Sequence, residues 1–179
     1  MGQVSSDVVL NVAVVAPVAS FQTSPVLTAL LALGYSPSLT NRNIVRISDT
    51  IEGKEYPIVF DISEELQTLS ITCQVGDLNN VGDNIEKQRD FLFACVNMND
   101  RTIPFATSII TTEDDSSIDE ESVPVVLVGC FPLVSKEELF YHTNGADGMS
   151  ARKNAISSYL DLLRKSVMFY NNQTSICNF

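Results

Sequence analysis

Residues 43–78, NIVRISDTIEGKEYPIVFDISEELQTLSITCQVGDL, decide the fold, because they read as three consecutive antiparallel strands. Ile44–Ile47 comes first, then Tyr56–Ile62, then Leu66–Val75, with turns at Glu52-Gly53-Lys54 and Ser63-Glu64-Glu65. Successive side chains of a strand point to opposite faces, so a sheet covered on one side needs apolar residues at a period of two. Ile58, Phe60 and Ile62 meet that demand on the second strand. Leu69, Ile71, Cys73 and Val75 meet it on the third, against Ser70, Thr72 and Gln74 on the other face.

Downstream, Gly76-Asp77, Asn79-Asn80 and Gly82 make a turn-rich connection, and Asp83 with Glu86 reads as an approximate capping box. It opens a helix from Asn84 to about Met98 whose apolar stripe reads as Ile85, Leu92 and Val96, with Phe91 and Cys95 beside it. Two more strands, Ile103–Thr111 and Val123–Leu133, flank the acidic loop from Glu113 to Glu121. The run Val125-Val126-Leu127-Val128 predicts a central strand covered on both faces. Ser135–Leu139 starts a helical turn, and Asn144-Gly145 and Asp147-Gly148 break the chain. A long amphipathic helix then runs from Ser150 to about Tyr170, with Ile156, Leu160, Leu163, Val167 and Tyr170 in one stripe.

Upstream, Ser24-Pro25 starts a helix that Gly34 ends, and Val26–Leu33 between them is apolar nearly all round. Such a helix is buried on several sides or covered by a second subunit. Before it, Val8–Val15 is rich in β-branched residues and reads as an extended arm stopped by Pro17. The expected architecture is α+β: a single antiparallel five-stranded sheet packed with three helices, in the order α-β-β-β-α-β-β-α, after an N-terminal arm. The arm covers residues 1–23, the domain 24–170, and a frayed tail 171–179.

With 179 residues and 45% hydrophobic content, the chain suits one globular domain. A net charge of −11 argues against nucleic acid and anionic membrane surfaces and suits a basic partner. The arm lacks the positive charge of a secretory signal and is too short to span a bilayer. Met1-Gly2-Gln3-Val4-Ser5-Ser6 fits a myristoylation pattern, but no basic cluster follows to strengthen anchoring. The cysteines, Cys73, Cys95, Cys130 and Cys177, have no metal-ligand spacing, and three fall in apolar runs. A reducing, cytoplasmic setting is the expectation.

Chemistry-bearing constellations are few. The single histidine, His142, has no nucleophile or orienting group near it in sequence. The acidic loop lacks the alternating aspartates of a calcium loop, and Glu64-Glu65 diverge in a tight turn. Asn79-Asn80-Val81-Gly82 is a turn and not a dinucleotide fingerprint. No catalytic residue, cofactor or metal is expected.

The order of elements resembles the type III secretion chaperone-like superfamily, including the YbjN-type proteins. Asn99–Ala106, leaving a helix and entering a strand, resembles that superfamily's helix-to-strand junction, as does Val126–Leu133 running into a helical turn. The resemblance covers roughly residues 24 to 170; the arm, the acidic loop and the insertion around Asn144–Gly148 depart from it. It implies a non-catalytic, chaperone-like or adaptor-like module, often dimeric, that binds another polypeptide on its helix and sheet surfaces. Apolar grooves beside strand edges would let an extended segment add by β-augmentation. The residues expected to meet a partner are Val8, Leu10, Val12 and Val14 on the arm and Leu27, Leu30 and Leu31 on the first helix. The alternative is a structural component of a larger assembly, such as a virion, whose arm pairs with a neighbouring subunit.

Overall fold

The computed structural model describes residues 24–41, 43–63, 65–82, 84–99, 104–110, 122–132 and 148–176. The arm, the acidic loop, the turn at Ser135–Leu139, His142 and Cys177 lie outside the described residues. Among the described residues the architecture is α+β, with three helices on one face of one antiparallel sheet. The helices are α1 (Pro25–Ala32), α2 (Ile85–Asn99) and α3 (Gly148–Ile176). The strands are β1 (Ser38–Leu39), β2 (Ile44–Ile51), β3 (Lys54–Ser63), β4 (Thr68–Asp77), β5 (Ala106–Ile109) and β6 (Pro124–Pro132).

Among the described residues the sheet has six strands where five were expected, in the order β1-β2-β3-β4-β6-β5. The addition is β1, which reads as loop in sequence because two polar-flanked residues carry no periodicity; it pairs Ser38 with Arg46 and Leu39 with Val45. The β2–β3 hairpin turns on Glu52 and Gly53, both at positive φ, 53° and 82°. That is the conformation a two-residue turn needs to match the strand twist, and a glycine at its second position adopts it without strain. The β3–β4 connection is looser than the sequence suggests. It closes on the pair Ser63–Thr68, leaves Leu66 exposed at its tip, and has the Leu66 N–H donating to Ser63 Oγ.

The period-two reading of 43–78 is what the core is built on. Ile58, Phe60, Ile62, Leu69, Ile71, Cys73 and Val75 are all buried in one apolar cluster with Val45, Ile47 and Ile51 of β2. From β6, Val125, Leu127 and Phe131 join it, and Phe131 stacks on Tyr159 of α3 at a centroid distance of 4.0 Å. Gly129 lies between them because there is no room for more: a Cβ there would sit 2.7 Å from the Phe105 ring. Val126 points to the opposite face, paired with Gln74 and Ser108, and is still only 2% exposed. The strand is thus covered on both faces at that point, as its apolar run predicts, although it is fifth in the sheet rather than central.

Each helix end has a local cause. At α1, Pro25 occupies the first turn and Gly34 follows the C-cap at φ 89°. Ser24 serves through its carbonyl, which accepts from Thr28 N–H, and its hydroxyl caps nothing. The α2 cap is Asn84, whose Oδ1 accepts from the N–H groups of Glu86 and Lys87; Asp83, expected in that role, lies outside the described residues. Helix α3 does not end at Tyr170. It continues to Ile176, held by Asn171, which bonds Tyr56 Oη and Glu52 Oε2 across the hairpin. The expected frayed tail is therefore helical over residues 171–176.

Candidate interaction surface

The stripes of the two long helices set what the molecule offers to its surroundings. On α3 the expected residues, Ile156, Leu160, Leu163, Val167 and Tyr170, are all buried. On α2 the buried set is Phe91, Cys95 and Met98, at spacings of four and three. The stripe expected to be inside is rotated outward: Ile85 is 80% exposed and Val96 63%, with Phe93 at 61% and Leu92 half-buried between the two faces. At 100° per residue, positions 85, 93 and 96 fall within about 80° of one another, so they form one outer stripe. Arg89 lies in the middle of the same sector, exposed, with its guanidinium paired to Asp90 at 3.1 Å.

Of the residues expected to meet a partner, the four on the arm lie outside the described residues. On α1, Leu31 is 54% exposed, Leu27 is partly buried against the core, and Leu30 is wholly buried in the chain's own core. Leu30 is therefore a packing residue, since α1 lies against α3 on that side. The outer stripe of α2 is the surface the sequence reading missed. Its signal was there in residues 85–98, which hold apolar residues for two stripes, while a helix has room for one against the sheet.

Each edge of the sheet is blunted at particular positions. At β5, Asn99 at the end of α2 uses its side-chain amide as a neighbouring strand would use a peptide. Its Oδ1 accepts from Thr107 N–H and its Nδ2 donates to Thr107 O. At the opposite edge, Thr40 N–H donates to Ile44 O, so the even-numbered residues of β2 turn their backbone groups outward. Arg46 is covered by β1, and Thr50 N–H is taken by Asp49 Oδ1 at 3.0 Å. An unpaired edge invites another strand, and at Thr107 and Thr50 side chains already hold groups such a strand would use.

The polar clusters beneath the helices are tethers. Arg164 of α3 donates from Nε to Asp49 Oδ2 at 2.8 Å and from Nη1 to Asp161 Oδ1 at 2.9 Å, while its Nη2 bonds Tyr35 Oη. One side chain thereby joins α3, β2 and the segment after α1. The hydrogen bond to Asp49 holds the Arg164 guanidinium firmly charged, and burial, with Asp49 alongside, raises the Tyr35 phenol. Burial likewise pushes the Cys73 thiol up to about 12 and the Cys95 thiol up to about 11. Such thiols are packing groups with little thiolate at neutral pH. Asp77 caps the 3₁₀ turn Leu78–Val81, accepting from Asn79 N–H, Ser122 Oγ and Val123 N–H, and the Ser122 bond comes first in holding its carboxyl below the usual range.

Among the described residues, no three His, Cys, Asp or Glu side chains gather as metal ligands. None of the described helices is long and apolar enough to cross a membrane. No protein-family model, curated protein or solved structure matches this chain.

Proposed function

We propose that this chain is a non-catalytic protein-interaction module, chaperone-like or adaptor-like, that engages another polypeptide on its helix layer. The observation that carries this reading is the outer stripe of α2. Three large apolar side chains stand in water on one helix face, in a domain that buries the apolar stripe of α3 and the apolar face of its sheet. Apolar patches rimmed by polar groups mark contact surfaces. Here Glu86 and Asp90 flank the stripe on one side and Gln88 on the other. Docking on a helix face also agrees with the blunted sheet edges, where β-augmentation would first have to displace Asn99 or Asp49.

The net charge of −11 favours a basic partner, which it would steer by long-range attraction. Unpaired thiols at Cys73 and Cys95 suit a reducing compartment such as the cytoplasm. The test is capture of copurifying polypeptides by the wild-type chain and by Phe93→Asp and Val96→Asp chains whose circular dichroism is unchanged. The variants should lose a partner that wild type retains. Equal capture by all three, or a measurable turnover by the purified protein, would overturn the reading.

A further inference from the structure

We draw no further inference here: the strongest candidate, the outer face of α2 that presents Ile85, Phe93 and Val96 to water, belongs to the contact surface already described, and nothing in the structure shows what covers it.

Discussion

Helices α2 and α3 were given the same kind of sequence and met different fates. In α3 all five residues of the expected stripe are buried, and the apolar residues off that stripe, Leu162 and Met168, are exposed at 37% and 41%. In α2 the apolar residues form two stripes about a quarter-turn or more apart, and only one can face inward. The interior took Phe91, Cys95 and Met98 and left Ile85, Phe93 and Val96 outside. The rotation is held by caps rather than by hydrophobicity alone. Asn84 fixes the first turn, Gln88 Nε2 donates to Gly82 O, and Asn99 clamps the last turn to β5. A helix with a surplus stripe is pinned at both ends, and the surplus becomes surface.

The sharpest test of this contrast lies on α2 itself. Phe91→Ala should cost about 3–5 kcal/mol, the usual range for emptying a buried aromatic site. Phe93→Ala, two positions on, should stay within about 0.5 kcal/mol. Urea denaturation followed by circular dichroism measures both, and similar losses would mean that α2 is rotated from the position described. Gly129→Ala comes next. Its Cβ would fall within 3.0 Å of both Phe105 and Phe131, and overpacking of this kind costs about 1–3 kcal/mol. The same change should weaken the near-ultraviolet signal of the Phe131–Tyr159 stack, a feature α3 depends on and α2 does not.

A smaller effect is expected at the pin between α2 and β5. Asn99→Ala frees Thr107 N–H and O, costing about 1 kcal/mol in stability. The more telling readout is association, since an unblocked edge should raise the sedimentation coefficient with concentration, and a chain that stays monodisperse would show that Asn99 guards nothing. The smallest effect is a pH dependence at Asp77, which steadies the turn leading into α2. Its folded pKa lies below the ordinary 3.8. Its contribution is therefore complete above the unfolded value and is lost as pH falls below 3.8 through the folded pKa. Ser122→Ala removes the main cause of the shift and should flatten the stability profile between pH 4 and pH 2, as followed by thermal melts.

Much of the fold was legible because residues 43–78 obey a strict period of two, and a slip of one residue would turn Phe60 and Ile71 out to water. Strands β2, β3 and β4 followed from that, as did α1 from its Pro and Gly punctuation. Strand β1 was not legible, because Ser38-Leu39 is too short for any period to show. The last turns of α3 were missed because Asn171 reads as a helix breaker in isolation, whereas its bonds to Tyr56 and Glu52 come from residues more than a hundred positions away. The candidate surface was missed for a related reason, since the composition of α2 announces two apolar stripes without ranking them.

By itself the sequence determined the class of architecture, the pairing of the central hairpins and which strand faces are apolar, for these depend on alternation and turn chemistry within a few residues. Only the tertiary structure decided which stripe of α2 meets water, that Leu30 is core and Leu31 surface, and that Asn99 and Asp49 hold backbone groups of Thr107 and Thr50 on the sheet edges. Those outcomes depend on how much room the sheet leaves for each helix and on contacts between distant segments, and a local pattern carries neither quantity.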